Sequence, residues 1–358
     1  MANRYLEKII LGENRGPVSW LIRALLWPLS LIYCVGLRAY LSLYEIGLRK
    51  RCRLKARVIS VGNLTFGGTG KTPAVQMLCR MLAEQGKRVV VLSRGYGGSA
   101  RGVVVVSDGD RVASDSAEAG DEPMLLARTL PGVPVIVGKD RRESGRLACE
   151  RFGPDVIVLD DGLQYWQLHR ELDIAVLDAR KPFGSGFVMP MGDLREPASG
   201  LRRAGIILLN HARAITEAEY DALAARISRL APNAQVFRCA HEPVCFRNVE
   251  SGEQSDLTWA KGRKIAAFCG IGRPEAFIEM LEALGASVEA SIIFPDHYRL
   301  TNDDITRIID AARGLEAIVT TEKDIARLGE RIAIPNLHAL VITLEIEDSS
   351  RLADEING

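Results

Sequence analysis

Closely spaced cysteine pairs are missing from this sequence, and so are low-complexity tracts and clear internal repeats. The seven cysteines are scattered along 358 residues and form no CxxC motif. This spacing argues against a disulfide scaffold and against a structural zinc site, and it favours reduced thiols on the cytosolic side of a membrane. Because 358 residues exceed the size at which one core keeps growing, two domains are expected.

A long hydrophobic run is also missing from the basic N-terminal region. The uncharged stretch from Ala24 to Leu37 has 14 residues, whereas a helix needs about 20 apolar residues to span a bilayer. Pro28 interrupts the pattern, and no convincing signal-peptidase site follows. Residues 1–57 carry 11 Lys and Arg against 3 Asp and Glu, in a chain with a net charge of +1. This segment favours an anchor in the interface of an anionic membrane; the alternative is a helix buried against its own domain.

A glycine-rich loop is the most informative motif that is present. It follows the apolar stretch Val58–Val61 and precedes a helical pattern, and glycines let its backbone N–H groups converge on one anion. Lys71 can then reach the terminal phosphates of a nucleotide, and the Thr72 hydroxyl can bind Mg²⁺. The predicted nucleotide-binding residues are Thr65, Phe66, Gly67, Gly68, Thr69, Gly70, Lys71 and Thr72.

Short apolar strands alternate with helices after residue 57. Continuous apolar strands separated by helices predict a parallel sheet with helices on both faces. The expected fold class is therefore α/β, a P-loop NTPase sheet with a smaller C-terminal α/β domain and an N-terminal membrane-associating helix. The expected domains are the anchor segment 1–52, the P-loop domain 53–240 and a C-terminal domain 241–358 that closes over the site.

Carboxylates stand at two places where they could act on a nucleotide. Asp160 and Asp161 follow a buried strand, where phosphoryl-transfer folds place a Mg²⁺-binding group, and Asp161 is the less certain of the two. Asp121 and Glu122 stand at the start of a helix. Asp121 could accept a proton from an attacking hydroxyl, or it could simply cap the helix.

Other polar loops offer weaker candidates. Arg94 and Tyr96, among glycines, suit a loop that closes over an anionic, sugar-like ligand, but a plain surface turn fits equally well. Asp296 could orient His297 as a proton relay. The stretch from Thr320 to Asp324 is interpreted as a helix cap.

Two binding switches fit the glycine loop less well. A membrane-associated positioning ATPase has a lysine where this chain has Phe66. A GTPase would need an Asn-Lys-x-Asp motif, and Asn210-His211-Ala212-Arg213 lacks the acid. A switch would hydrolyse nucleotide alone, whereas a kinase needs an acceptor.

Taken in order, the motifs resemble those of the tetraacyldisaccharide 4'-kinase family of Gram-negative bacteria, from the anchor-like start to about residue 345. The matching stretches are 61–72 with the glycine loop, Ser93-Arg94-Gly95-Tyr96-Gly97-Gly98, Gly120-Asp121-Glu122-Pro123, Leu159-Asp160-Asp161-Gly162-Leu163-Gln164, Asp193-Leu194-Arg195-Glu196-Pro197, Phe294-Pro295-Asp296-His297-Tyr298 and Thr320-Thr321-Glu322-Lys323-Asp324.

The resemblance implies a kinase that transfers the γ-phosphate of ATP to the 4'-hydroxyl of a tetraacylated glucosamine disaccharide 1-phosphate, a lipid A precursor. It implies ATP and Mg²⁺ as cofactors and the cytoplasmic leaflet of the inner membrane as location. No nucleic-acid partner is expected, and the sequence leaves the oligomeric state open, with a monomer favoured. By matching position it makes Asp121 the base, tuned by His297 with Asp296 beside it. It assigns Lys71 and Thr72 to ATP and Mg²⁺.

The resemblance also implies further site residues. The candidates near the metal, besides Thr72, are Asp160, Glu122 and Asp161. The candidates for binding the disaccharide or stabilising transferred charge are Asn63, Arg94, Tyr96, Arg141, Gln164 and Arg195. Since the predicted domains separate Asp121 from His297, the site is expected to assemble only on closure.

Overall fold

The computed structural model describes residues 9–12, 16–296, 298–328 and 334–357. The strands are β1 (Arg57–Gly62), β2 (Val89–Ser93), β3 (Val104–Ser107), β4 (Val135–Val137), β5 (Val156–Asp160), β6 (Leu172–Asp178), β7 (Ile206–Asn210), β8 (Gln235–Asn248), β9 (Gln254–Ser255), β10 (Lys264–Cys269), β11 (Ser287–Ile293), β12 (Ala317–Thr321) and β13 (Leu337–Ile346). The α-helices are α1 (Pro17–Glu45), α2 (Lys71–Glu84), α3 (Ser116–Ala119), α4 (Asp121–Thr129), α5 (Arg141–Phe152), α6 (Glu217–Leu230), α7 (Pro274–Ala283), α8 (Asn302–Ala311), α9 (Glu322–Leu328) and α10 (Ser349–Asn357).

The described residues form two units. The first comprises residues 1–92, 141–240 and 345–358, and the second comprises 93–140 and 241–344. The sequence prediction has a continuous domain over 53–240, whereas these contacts assign its segment 93–140 to the second unit. The reason is that α4, from that segment, packs against α9.

The first unit contains the predicted parallel sheet. Its strands pair in the order β7-β6-β1-β5-β2, all parallel, and the first residues of β8 extend the sheet beside β7. The register places Asp160 opposite Val61 and Asn210 opposite Asp178. Because parallel strands end at the same edge, the glycine loop after β1 and the polar residues that end β5 and β7 share the edge where ligands bind in such sheets.

The second unit contains a parallel sheet in the order β11-β10-β12-β13. The period of two along β10 places alternate residues on opposite faces. Ile265 and Ala267 pack with Phe277 of α7, whereas Ala266 and Phe268 pack in a separate core with Ile308 of α8. Each fully buried aliphatic or aromatic side chain of this kind contributes about 1.5–3 kcal/mol.

Helix α1 corrects the prediction that Pro28 breaks the apolar segment. The helix runs through Pro28 for 29 residues, and an 18-residue window has a mean hydropathy of 1.7. Pro28 removes one N–H from the hydrogen-bond ladder without ending the helix. By length and composition the helix could cross a membrane. Only 17% of that window is buried, so the alternative of a buried core helix is wrong.

Three polar side chains of α1 face the protein. Its buried residues are Ser19, Arg23 and Ser30. Ser30 Oγ donates to the Val188 carbonyl oxygen at 2.9 Å, and Arg23 Nη2 donates to the Ile9 carbonyl oxygen at 2.7 Å. Its large apolar side chains are instead exposed, among them Leu25 at 70% and Ile32 at 67%. The apolar face is thus directed away from the unit to which the helix belongs.

The seven cysteines all lie within the described residues, and each is a free thiol, as their spacing predicts.

Candidate active site

The glycine loop has the backbone conformation that its composition predicts. Gly67 has φ +105° and Gly70 has φ +92°, in the left-handed region that favours glycine. Helix α2 begins directly afterwards at Lys71. An added Cβ at Gly67 or Gly68 would meet no atom within 4 Å, so the loop borders open space. A left-handed loop that leads into a helix N-terminus presents backbone N–H groups to an anion.

Two buried asparagines hold Thr69, one through its side chain and the other through its backbone. Asn63 Nδ2 donates to Thr69 Oγ1 at 3.0 Å, and Asn210 Nδ2 donates to the Thr69 carbonyl oxygen at 3.0 Å. Both asparagines are 0% exposed. Sequence reasoning considered Asn210 only as part of a failed GTPase motif and missed this contact. The available signal was its position at the carboxyl end of an apolar strand.

Lys71, Asp161 and Arg195 form an ionic cluster beside the loop. Arg195 Nη1 lies 2.7 Å from Asp161 Oδ2, and Lys71 Nζ lies 3.8 Å from Asp161 Oδ1. Burial works against ionisation of Asp161, but the charges of Lys71 and Arg195 together outweigh it and hold the Asp161 pKa below its ordinary value. Asp161 has φ +53°, in the left-handed region. The cluster therefore favours an ionised Asp161 carboxylate beside the loop.

Asp160 and Arg141 lie next to this cluster. Asp160 ends β5 and is 1% exposed, and Arg141 is 4% exposed. Arg141 Nη2 donates to the Asp160 carbonyl oxygen at 3.3 Å, and the Arg141 backbone N–H donates to Tyr165 Oη at 2.9 Å. The predicted residues Asp160 and Arg141 are thus brought together.

Gln164 is engaged with the protein itself. Its Nε2 donates to the Asn63 carbonyl oxygen at 2.9 Å and to Glu196 Oε1 at 2.7 Å. Glu196 is 3% exposed and also accepts from Arg203 Nη1 at 2.7 Å. Sequence reasoning missed Glu196 and Arg203, whose contacts link Gln164 and Asn63 to the Arg195 segment.

In the second unit, Asp121 is the first residue of α4, and Gly120 occupies the cap position. Its carboxylate accepts a hydrogen bond from Arg327 Nε at 2.9 Å. Arg327 Nη2 also donates to Asp296 Oδ1 at 3.1 Å. Asp121 and Asp296 therefore belong to one unit, whereas the domain boundaries expected from the sequence place them in different domains. The predicted residue His297 lies outside the described residues.

The loop with Arg94 and Tyr96 packs closely on the segment before Asp121. A Cβ on Gly120, at φ +91°, would lie 2.5 Å from the Tyr96 carbonyl oxygen, and a Cβ on Gly98 would lie 2.3 Å from the Glu118 carbonyl oxygen. Both positions require glycine for close backbone approach. Tyr96 is 77% exposed, and Arg94 is also exposed. The loop is thus held at its glycines while its two candidate side chains reach solvent.

The predicted metal ligands are divided between the units, with Thr72, Asp160 and Asp161 in the first and Glu122 in the second. Among the described residues, no three His, Cys, Asp or Glu side chains are close enough to hold a metal ion by themselves. The donors are all hydroxyl or carboxylate oxygens, which fits Mg²⁺, an ion that keeps several waters and uses one or two carboxylates with substrate phosphates.

The helix cap predicted near Thr320 is formed by Thr321. The Asp324 backbone N–H donates to Thr321 Oγ1 at 3.2 Å, and Thr321 Oγ1 donates to Asp324 Oδ2 at 2.6 Å. Thr320 instead bonds the Phe268 carbonyl oxygen at 2.7 Å.

Comparison with known proteins covers nearly the whole chain. The family model described as LpxK, tetraacyldisaccharide-1-P 4'-kinase, matches residues 22–357. A tetraacyldisaccharide 4'-kinase of Syntrophus aciditrophicus is 42% identical over 90% of this chain and 88% of its own length. Another, from Halothermothrix orenii, is 37% identical over 99% of this chain and 97% of its own.

A solved structure agrees with these relatives. The crystal structure of the "apo" form of LpxK from Aquifex aeolicus in complex with ATP has a TM-score of 0.77 and 33% identity, and covers 94% of this chain and 98% of that chain. The expected P-loop α/β fold is confirmed, and so is the resemblance seen in the motifs. The chain belongs to the tetraacyldisaccharide-1-P 4'-kinase family.

Proposed function

We propose that this chain transfers the γ-phosphate of ATP to the 4'-hydroxyl of a tetraacylated glucosamine disaccharide 1-phosphate, the lipid A precursor. The observation that carries the proposal is the family match over residues 22–357. It is supported by a left-handed glycine loop that ends at Lys71. A kinase of this family needs its lipid acceptor, so the nucleotide switches considered above are not favoured.

On the ATP side, the backbone amides of 65–72 bind the phosphates, and Lys71 neutralises their charge. Asp161 holds Lys71 and Arg195 in place before ATP binds, since it pairs with both. Arg195 and Arg141 are suited to stabilise the charge of the transferred group, because fixed cations act most strongly where water is excluded. Gln164 is hydrogen-bonded to Asn63, and Asn63 is hydrogen-bonded to Thr69 of the loop. These two residues would therefore affect the disaccharide by positioning the loop.

The magnesium ion belongs to the same proposal. The Thr72 hydroxyl and the carboxylates of Asp160, Asp161 and Glu122 are the candidates to hold it, and when bound the ion neutralises negative charge on the ATP phosphates. Asp160→Asn should raise the Mg²⁺ concentration required for half-maximal activity, on the order of tenfold or more. The matched control is Asp155→Asn, at the opposite end of the same strand; an equal requirement in both variants would remove Asp160 as a ligand.

On the acceptor side, Asp121 accepts the proton of the 4'-hydroxyl. Because phosphoryl transfer passes through a loose transition state, the proton leaves late, and a carboxylate is basic enough. His297 remains the proposed partner of Asp121, with Asp296 beside it. The exposed side chains of Arg94 and Tyr96 are available to a sugar or phosphate group of the acceptor.

The chain is further proposed to work as a monomer on the cytoplasmic leaflet of the inner membrane. The support for membrane association is α1, whose buried side chains Ser19, Arg23 and Ser30 are polar while large apolar side chains such as Leu25 and Ile32 are exposed. Four acyl chains keep the acceptor in the bilayer, so an anchored enzyme meets it by diffusion in two dimensions.

The test is transfer of labelled phosphate from ATP to the purified disaccharide 1-phosphate in detergent micelles. Asp121→Asn should lower kcat by about 10²-fold or more while ATP still binds. The matched control is Asp115→Asn, in the same unit, whose amide oxygen can still accept the cap hydrogen bond from the Glu118 N–H, which is 2.8 Å long in the native chain. No acceptor-dependent transfer by the native chain would refute the function, and near-normal turnover of Asp121→Asn would remove Asp121 as the base.

A further inference from the structure

Arg327 is the most heavily engaged cation of the second unit. It lies in the last turn of α9, and its side chain is 3% exposed. Each of its three nitrogens has a carboxylate partner: Nε bonds Asp121 Oδ2 at 2.9 Å, Nη1 bonds Asp324 Oδ1 at 3.1 Å, and Nη2 bonds Asp296 Oδ1 at 3.1 Å. Nη1 also donates to the Gly270 carbonyl oxygen.

The side of the guanidinium away from Asp121 is rigidly held. Asp324 is 3% exposed, and its Oδ1 accepts from the Gly270 backbone N–H at 3.1 Å. Its Oδ2 accepts from Thr321 Oγ1 at 2.6 Å. Gly270 therefore binds Asp324 through its N–H and Arg327 through its carbonyl, so the end of β10 fixes the plane of the guanidinium.

Charge alone does not explain this arrangement. Asp121, Asp296 and Asp324 face Arg327, and Lys323 is a further cation at this group, with its Nζ 3.0 Å from Asp296 Oδ1. A lysine at 327 would preserve the charge but not three directed bonds in one plane, because an ammonium is a compact point charge and a guanidinium is a rigid fork. The arginine therefore adds orientation to charge compensation.

We infer that Arg327 is a positioning residue that sets the orientation of the Asp121 carboxylate for proton acceptance. The inference rests on the proposed function, in which Asp121 is the base. Arg327 also joins Asp121, from the segment 93–140, to Asp296, from the segment 241–344, so that one side chain aligns both parts of the proposed acceptor side. Small errors in the placement of a reacting group cost activity even where every group remains present.

The test compares two conservative replacements in α4 and α9. Arg327→Lys keeps the charge and should lower kcat about 10-fold to 10²-fold, with the ATP Kd and the acceptor KM nearly unchanged. The matched control is Arg128→Lys, because Arg128 joins the same two helices through a hydrogen bond from Nη1 to the Ile325 carbonyl oxygen at 3.1 Å. That hydrogen bond goes to a backbone carbonyl oxygen of α9 and not to a carboxylate, so the kcat of Arg128→Lys should stay near the native value. An equal loss in both variants would mean a general effect of helix packing and would overturn the inference.

A double-mutant cycle separates this inference from the proposed function. If Arg327 acts through Asp121, Arg327→Lys should slow the Asp121→Asn enzyme no further, since the step it supports is already lost. A full additional loss would overturn the positioning role while leaving Asp121 as the base. Near-normal turnover of Asp121→Asn alone would instead refute the proposed function.

If Arg327→Lys does not fold, Asp324→Asn serves as the second variant. It loosens the rigid side of the guanidinium without touching Asp121, and it should give a smaller kcat loss that is again absent in the Asp121→Asn background. Unchanged kcat in a folded Asp324→Asn enzyme would count against the inference.

Discussion

Asn210 at the end of β7 donates a hydrogen bond from Nδ2 to the Thr69 carbonyl oxygen in the glycine loop, at 3.0 Å. The two residues lie 141 positions apart in the chain. A buried side chain thus supports the loop backbone from a strand two places away in the sheet, β6 lying between β7 and β1. The loop conformation depends on the sheet as well as on its own glycines.

Removing that support should weaken ATP binding. In Asn210→Ala the Thr69 carbonyl loses a buried partner, which costs about 1–3 kcal/mol, and this corresponds to roughly a 5-fold to 150-fold rise in Kd if the cost falls on the bound loop. Isothermal titration with ATP measures the effect. Asn233→Ala, at an exposed asparagine of the same unit, should bind ATP normally; equal affinities in the two variants would contradict a supporting role for Asn210.

Gly120 should be less tolerant of a side chain than Gly132, a glycine with a similar φ. Gly120 has φ +91° and Gly132 has φ +79°, so alanine at either position carries backbone strain of about 1–3 kcal/mol. Only at Gly120 would the Cβ also collide, at 2.5 Å from the Tyr96 carbonyl oxygen, since nothing lies within 4 Å at Gly132. Gly120→Ala should therefore unfold at a lower temperature than Gly132→Ala and also lose kcat. Similar melting temperatures and similar kcat in the two variants would contradict the close packing of the Tyr96 loop.

The exposed face of α1 should carry membrane association. In the double variant Leu25→Gln, Ile32→Gln, two side chains that are 70% and 67% exposed become polar. Each would otherwise contribute about 1.5–3 kcal/mol when buried in lipid, so the fraction that sediments with anionic vesicles should fall strongly. The control Val112→Gln, Val244→Gln changes side chains that are 40% and 49% exposed elsewhere. Unchanged sedimentation of the first variant would refute the anchor.

Stability in acid should depend on the pair of Arg88 and Asp155. Hydrogen bonds from the Arg88 side chain and backbone lower the Asp155 pKa from 3.8 to about 2. A carboxyl whose pKa is lowered on folding stabilises the native state above its unfolded pKa, and that contribution is lost as the pH falls through the folded value. Asp155→Asn should therefore melt below the native protein at pH 7, and the difference should shrink as the pH falls below about 4. Calorimetry at several pH values measures it, and a difference independent of pH would contradict the ionic origin.

The spacing of residues along the chain was sufficient to predict the features that depend on near neighbours in sequence. The loop from Gly67 to Thr72 was predictable, since glycine and a following helix constrain the backbone without help from distant residues. The apolar stretch Val58–Val61 lies within β1, and the helix expected after the glycine loop is α2. The motif order was enough to identify the family.

The grouping of segments was not predictable in this way. The segment 93–140 begins at the end of β2, yet it is grouped with 241–344, because α4 packs against α9. Pro28 was misjudged for a related reason, since one missing N–H does not end a helix whose remaining residues favour it.

The sequence by itself determined the glycine loop, the apolar strands and the family, because backbone freedom, side-chain period and motif order are written into consecutive residues. Only the tertiary structure decided that Asn210 supports Thr69 and that Arg327, 206 positions from Asp121, holds its carboxylate. Such partners depend on strand order and helix packing. The whole chain determines both through the burial of its core, and no short stretch of sequence encodes them.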